Sequence, residues 1–587
     1  MRSALVLACC ACTVSLGGGG NNAVYQFGPA GGAVTTPAGV TLELPAGALK
    51  DLTQITVAQS DGPADALSPR VSFEPAIALA VPATLSFGVT DDTATLQWND
   101  TPVEAAVTAG TARAQIPTLG SGYFRRPPPG RTVTGRLSTV YGSTVVGGAP
   151  GADMHVTALW VGQRRIPVVE SPDYSFSVAH VPQGPYLLEV DTIVGDALST
   201  AQLFELTTSA PDLSMVSAAR PDVRYVTRGP QVTLDISNLM PWVLPAGAYT
   251  GDLLLVAGAQ ADAFGRPRGV HPSSSATSWH GTFDWGLMST TLPTVAGLPE
   301  AAKGDVEYVY QRPTEPIGAG VVHRVKRYAR IDSLTLADST PANLSFALAD
   351  APQTGSLHVD IRGSQWAPLA TQVNPAAGFG TTTSGGVTIL AEPHEVAFPN
   401  LPFGYAQTSI FWLQAPDGAD VNYGDVPYGQ FLGPDWKEVR YAAWFFASPD
   451  NSVGGEIFAM DPMPVTSPIV PRLGPPRSPQ IAGRDAFVAQ TGVGSQPVIS
   501  WSPPSLGRAT SYLLMLTRMS GAGVQSVQIT VHGATSVSVP PGFLQTGAQY
   551  AAVIAAISVP WDGPDAPAFR TGVPMDYAEC ATASFSP

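Results

Sequence analysis

The sequence predicts an all-β protein, a linear array of β-sandwich modules. Three observations carry this. First, 60 glycines and 56 prolines make up about a fifth of the 587 residues, so turn signals recur along the whole chain. Second, only 13% of residues are charged while 44% are hydrophobic, a composition that excludes a disordered chain. Third, apolar and polar residues alternate in many short runs, the period of a half-buried strand. The chain is too long for one core, and about four domains are expected.

The net charge of −15 speaks for solubility and against a nucleic-acid partner. Three of the four cysteines, Cys9, Cys10 and Cys12, crowd the first twelve residues, and the fourth is Cys580. No pair frames a domain, so neither a disulfide framework nor a structural zinc site is expected. No later window holds eighteen consecutive apolar residues, so no second membrane span is expected.

Residues 1–22 read as a lipoprotein-type export signal and tether. Arg2 gives the positive start, Ala4–Ala8 the apolar run, and Val6-Leu7-Ala8-Cys9 places a small residue directly before a thiol. Cys9 is the expected site of lipid attachment, with Cys12, after Ala11, as runner-up. The apolar run is shorter than the roughly 7–15 residues of a standard export signal. Cleavage near Gly17 without lipidation, which would release a secreted protein, is the alternative. Gly17–Gly20 with Asn21 and Asn22 make a flexible tether.

Residues 24–125 form the first module. Val40, Leu42 and Leu44 alternate as one face of a strand, which Pro45 and Gly47 end in a turn. Val71-Ser72-Phe73-Glu74-Pro75 and Pro82-Ala83-Thr84-Leu85-Ser86-Phe87 continue the pattern. The Gly31-Gly32-Ala33-Val34 opening, the Leu42–Leu49 core and the later Phe-x-Pro and Val-Pro-x-Thr-Leu runs resemble a ZU5-type β domain. That resemblance implies a structural or interaction module without catalytic residues. Arg125-Arg126-Pro127-Pro128-Pro129-Gly130-Arg131 then reads as a stiff spacer.

Residues 132–215 form the second module. Tyr174-Ser175-Phe176-Ser177-Val178, the turn Pro182-Gln183-Gly184-Pro185-Tyr186 and the strand Leu187–Val190 resemble the transthyretin-like sandwich of carboxypeptidase-regulatory-like domains. The resemblance implies an accessory module. His155 and His180 lie in strand-like runs and are expected to be plain surface or core residues.

Residues 216–470 are β-rich and match no module type, one large or two smaller sandwiches split near 350. Gln231–Ile236 alternates cleanly, and Asn238-Leu239-Met240-Pro241-Trp242 follows as a turn with an aromatic plug. Further strands are expected at Val306–Tyr310, Ser333–Leu336, Leu344–Leu348, Leu357–Ile361, Val387–Leu390 and Ile410–Leu413. Pro416-Asp417-Gly418 and Asn422-Tyr423-Gly424 are expected as turns between strands.

Residues 473–587 resemble a fibronectin type III domain. The pattern is Val498-Ile499-Ser500-Trp501, then Tyr512–Leu516, Val527–Val531 and Leu544 six residues before Tyr550. The resemblance implies that Trp501, Leu544 and Tyr550 are structural core, with the Tyr550 hydroxyl bonded to the backbone just upstream. Cys580 is expected beyond the last strands as a free thiol.

Chemistry-bearing motifs are sparse. There is no G-x-S-x-G, phosphate loop, dinucleotide fingerprint or calcium loop, so no catalytic residue, metal ligand or cofactor is expected. His394-Glu395 begins a zinc-protease motif, but no histidine follows four residues on and Pro393 opposes a helix. His271, His280 and Asp284 offer three ligand types, yet a solvated loop capped by Trp279 and Trp285 is the simpler expectation. Tyr441, Trp444, Phe445 and Phe446 are either a sugar-stacking platform or, as expected for aromatic residues, strand core.

The expectation is therefore a non-enzymatic cell-envelope lipoprotein displaying protein- or glycan-interaction modules in a scaffold or adhesion role. Its partners would be the membrane, through the lipid, and an envelope protein or glycan. The alternative is a carbohydrate-active enzyme or carbohydrate-binding protein with its site in 216–470, which a pocket with two carboxylates about 5–10 Å apart would identify. Radiolabelled palmitate is expected to enter the chain, and Cys9→Ala to abolish labelling. Labelling that survives Cys9→Ala and disappears in Cys12→Ala would assign the anchor to Cys12.

Overall fold

Strands take up 57% of the chain and helices 4% in the computed structural model, so the protein is all-β, an array of β-sandwich modules. The structure describes residues 22–90, 94–99, 101–126, 130–141, 143–148, 153–194, 197–217, 219–244, 251–267, 271–288, 296–376, 383–392, 408–415, 418–433, 436, 438–448, 454–465, 468–519, 526–560, 563–569 and 574–587. Cys9 and Cys12 with the rest of the signal, Pro127–Pro129 of the spacer, His394-Glu395 and Pro416-Asp417 lie outside the described residues. The chain divides into two compact units, one running to Arg131 and taking in His180–Gln183, the other holding the remainder.

The first unit is one antiparallel path of ten strands. It runs from Asn22–Phe27 at one edge, through Thr53–Ser60 and Arg70–Glu74, to Thr41–Leu44 and Gly32–Thr35 at the other. Phe27 from one edge and Val34 from the other share a single core with Leu42, Ile55, Phe73 and Phe124, so the path folds over itself into a sandwich. The alternation at 40, 42 and 44 is the cause: all three side chains point inward and are at most 2% exposed. Gly47 takes a φ of +80° in the turn that follows, a left-handed conformation that costs glycine little.

The second unit is organised by a 14-stranded sheet to which three stretches of sequence contribute. Residues 132–217 supply Arg164–Pro167, Asp153–Val161, Tyr186–Val194 and Ala197–Leu206, in that spatial order. Residues 473–587 follow with Ser526–His532, Ser511–Arg518, Tyr550–Ser558 and Met575–Ala581. The middle of the chain completes it with Gly455–Pro462, Glu438–Ala447, Thr383–Glu392 and Thr408–Ala415, then the hairpin Gly320–Arg324 and Thr314–Ile317.

Two seams join these stretches. Ala197–Leu206 pairs in parallel with Ser526–His532. There the buried Gln202 donates to Gln528 at 3.1 Å, and the His532 N–H donates to Glu205 at 2.6 Å. Met575–Ala581 pairs antiparallel with Gly455–Pro462. Arg472 clamps that second seam by donating to Asp461 and, at 2.7 Å, to Asp576, while the Tyr441 hydroxyl donates to Asp461 at 2.6 Å.

Smaller sheets cover the inner face. Gly355–Arg362 with Asp420–Tyr428 packs Leu357, Val359 and Val426 into the same core as Val387, Ile389 and Phe411. Arg477–Ile481, Val498–Ser502 and Ser536–Ser538 cover the C-terminal strands in the same way. Residues 219–350 make a further sandwich around Val232, Leu234, Ile236, Val256 and Trp285. Its strand Glu307–Arg312 is buried along its whole length, because Val309 faces that core while Tyr308 and Tyr310 face the large one.

Several expectations are corrected. Cys580 is not beyond the last strands: it lies within Met575–Ala581, fully buried and unpaired as a thiol. Ser333–Leu336 forms no strand; Thr335 makes only an isolated bridge to Glu300. Asn422-Tyr423-Gly424 does not separate strands, but sits inside Asp420–Tyr428 opposite a register shift at Val359/Asp360, where Gly424 adopts a φ of +65°. The stretch Gly363–Val373 forms short helical turns that bury Trp366, Leu369, Ala370 and Val373.

Trp501, Leu544 and Tyr550 are each no more than 5% exposed and share one core. The Gln545 N–H donates to the Tyr550 hydroxyl at 2.9 Å. Tyr550→Phe removes that acceptor and strands the N–H, and is expected to destabilise the full chain by about 1–3 kcal/mol in urea unfolding. An unchanged midpoint would show that the bond contributes nothing.

Candidate functional site

The run Tyr441–Phe446 lies in the strand Glu438–Ala447, where alternation divides its aromatic residues between two faces. Tyr441 and Phe445 point into the large core, 8% and 3% exposed. Trp444 and Phe446 point outward, Trp444 half-buried and Phe446 37% exposed. Strand core thus describes two of the four residues, and an open platform the other two.

Neighbouring strands bring more rings to the outer face. Trp412 lies nearly parallel to Trp444, at 5° with centroids 6.5 Å apart, and His323 lies 4.8 Å beyond Trp412. On the other side Trp444 is directly opposite Phe458, which stacks on Tyr577 at 4.7 Å and 19°. Gly386 lies opposite Trp444 on the strand between the two tryptophans. A Cβ there would sit 2.4 Å from the Leu413 carbonyl oxygen and 3.1 Å from Trp444 Cζ2, so only glycine lets the indole lie this close to the sheet.

Two carboxyls share this face. Glu456 is opposite Phe446, and its backbone N–H donates to Glu579 Oε2 at 2.7 Å. The Tyr577 hydroxyl donates to the other Glu579 oxygen. Burial pushes Glu579 up to about 7, with the nearby Glu456 adding to the rise, and burial raises Glu456 as well. The Glu456 carboxyl has no hydrogen-bond partner among the described residues.

An apolar pocket of about 340 Å³, counting its open mouth, lies at one end of the same sandwich. Ile361, Trp366, Gly385, Ala415, Ala443 and Phe445 line it, and its lining contains no carboxylate. The paired carboxyls of this region, Glu456 and Glu579, are instead neighbours on the sheet surface.

The other predicted positions fall apart in space or serve structure. Ser278–Asp284 is a strand, not a loop, because Trp279, Gly281 and Phe283 alternate into a core. Asp284 accepts from the Gly229 N–H at 2.6 Å and from Gln231 at 3.1 Å, while His280 is exposed and His271 contacts the Pro272 carbonyl. No group of three or more histidine, cysteine or acidic residues is placed to hold a metal among the described residues. His155 is held between Glu170 at 2.8 Å and Asp153 at 2.7 Å. Burial opposes its protonation, but these two bonds outweigh it and raise its pKa. His180 is exposed.

Sequence reasoning alone misses Trp412, Phe458, Tyr577, Glu456 and Glu579 as members of one face. The strand Met575–Ala581 was not expected, and the register that brings Tyr577 and Glu579 beside Phe458 and Glu456 joins positions over 100 residues apart. No family model matches the chain, and no curated protein matches it.

The raised Glu579 pKa has a sign. The folded chain holds a proton that the unfolded chain releases near the ordinary value of 4.5, so stability falls as pH rises from 4.5 to about 7. Glu579→Gln is expected to remove that slope, worth up to about 3 kcal/mol, in melting curves across pH 4–8. An identical slope in the variant would rule Glu579 out as its source.

Proposed function

We propose that the protein is an exported, lipid-anchored, non-enzymatic envelope protein that displays interaction modules and binds an envelope protein or glycan through its outer aromatic face. The observation that carries the reading is the outward pair Trp444, half-buried, and Phe446, exposed, on a strand whose Tyr441, Ala443 and Phe445 are buried on the other face. A half-open aromatic surface is worth retaining only where something covers it. The acidic net charge supports a partner other than nucleic acid or an anionic bilayer. Attachment is assigned to lipid on Cys9, which follows the small residue Ala8 at the end of the apolar run.

The module assignments belong to the same proposal. The sheet order Ser526–His532, Ser511–Arg518, Tyr550–Ser558, Met575–Ala581, facing Arg477–Ile481, Val498–Ser502 and Ser536–Ser538, supports a fibronectin type III-like C-terminal module. The two sheets formed by residues 131–217 support the transthyretin-like reading, and the self-folded path of the first unit supports the ZU5-like one.

Trp444→Ala is expected to weaken binding of the purified full chain to isolated cell envelopes by about tenfold, with its melting temperature preserved. Envelope binding indistinguishable from the parent would remove the aromatic face from the function.

A further inference from the structure

We propose that the aromatic face binds a neutral glycan chain, with the rings of Trp444 and Phe446 stacking on sugar C–H faces and Glu456 accepting hydrogen bonds from sugar hydroxyls. This rests on the reading that the face is the interaction surface, and it names the ligand class.

Trp444 and Phe458 are directly opposed on adjacent strands, as are Phe446 and Glu456. Adjacent strands are about 4.8 Å apart, a step comparable with one sugar residue, so a chain laid across the strands meets a new side chain at each step. A pyranose has C–H groups on its faces and hydroxyls at its rim. The π face of an aromatic ring is electron-rich and attracts the positive edge of C–H bonds. The rim hydroxyls need acceptors beside the rings, and Glu456 lies between Phe446 and Glu579 on the same face.

Glu456 is an acceptor with room for a ligand. Burial raises its pKa, yet its carboxyl has no hydrogen-bond partner among the described residues. Its oxygens are not among the buried unpaired atoms, so they reach the surface, where the hydroxyls of a donor-rich ligand can meet them. Its companion Glu579 is already satisfied by Tyr577 and the Glu456 N–H, so Glu456 has the acceptor capacity left over.

Two carboxyls on the face and a net charge of −15 oppose a polyanionic ligand, and a carboxyl among the rings opposes a purely apolar one. An uncharged, hydroxyl-rich ligand with apolar faces satisfies both constraints.

The test is titration of the full chain with cellohexaose, chitohexaose and mannohexaose, followed by calorimetry and tryptophan fluorescence, with polygalacturonate as the anionic comparison. Saturable binding of at least one neutral hexaose is expected, stronger than its trisaccharide and stronger than polygalacturonate. Trp444→Ala is expected to weaken it about tenfold and Glu456→Gln about fivefold. Phe446→Ala, at an exposed position where misfolding is not an issue, is also expected to weaken it. Failure of all three hexaoses to bind, or binding unchanged in both Trp444→Ala and Phe446→Ala, would overturn the proposal. If Trp444→Ala abolishes envelope binding while no hexaose binds or competes, the glycan assignment falls and the broader reading stands. If envelope binding is also unchanged, both fall.

Discussion

Edge pairing is the constraint on which the second unit depends. A sheet edge exposes a row of unpaired N–H and C=O groups that must be paired, covered or cut short. Here the edges of three stretches of chain satisfy one another. The edge of Ala197–Leu206 is paired by Ser526–His532, and that of Gly455–Pro462 by Met575–Ala581. Thr408–Ala415 is paired by a hairpin reaching out of the 219–350 sandwich. Among the described residues only the two outermost strands remain open, and both are four residues long and contain a proline, Pro167 and Pro316. Proline withholds the donor that further pairing needs, so the sheet stops there.

The order of pairing in space differs from the order in sequence, and this gives the C-terminal stretch a central position. Residues 473–587 lie between strands from 132–217 and strands from 355–465. The sheet cannot close until the end of the chain is present, and the contacts that close it span hundreds of residues, such as Gln202 with Gln528. Such pairings form late, because loop-closure entropy must be met before they gain anything. The polar bonds at the seams carry little energy individually. Their worth is specificity: in another register the buried Gln202 side chain would lose its bond to Gln528.

How much of this was legible follows from the range of each signal. Alternation is local, so strands at 41–44, 231–237 and 511–518 could be read directly, with their inward faces at Leu42, Leu234 and Leu514. Turn residues were less reliable. Asn422-Tyr423-Gly424 has turn composition because a bulge needs the same positive φ that a turn does, and composition does not separate the two. The helical turns at Gly363–Val373 were readable in principle, since Trp366, Leu369, Ala370 and Val373 follow helical spacing, but Gly363 and Pro368 obscure them. Cys580 seemed to lie past the last strand because the connection before Met575 is long. The seams themselves leave no local trace: Gln202 and Gln528 look like ordinary outward-facing polar residues of two unrelated strands.

The candidate site shows where parity stops being enough. In Tyr441-Ala442-Ala443-Trp444-Phe445-Phe446 both faces of the strand are apolar, so alternation does not say which is buried. The answer lies in what covers each face. Inward, Gly355–Arg362 and Asp420–Tyr428 close over Tyr441, Ala443 and Phe445. Outward, Val559 packs against Leu513, Ala555, Ile557 and Tyr577, and also against Ala442, Met460 and Met575. It does not extend to Trp444 and Phe446, which join no buried cluster. The outer face is thus closed around Ala442, Met460 and Met575 and open at Trp444 and Phe446. An interaction surface arises there because the packing that closes the outer face around Ala442 and Met460 stops short of Phe446, with Glu456, which has no hydrogen-bond partner among the described residues, directly opposite it.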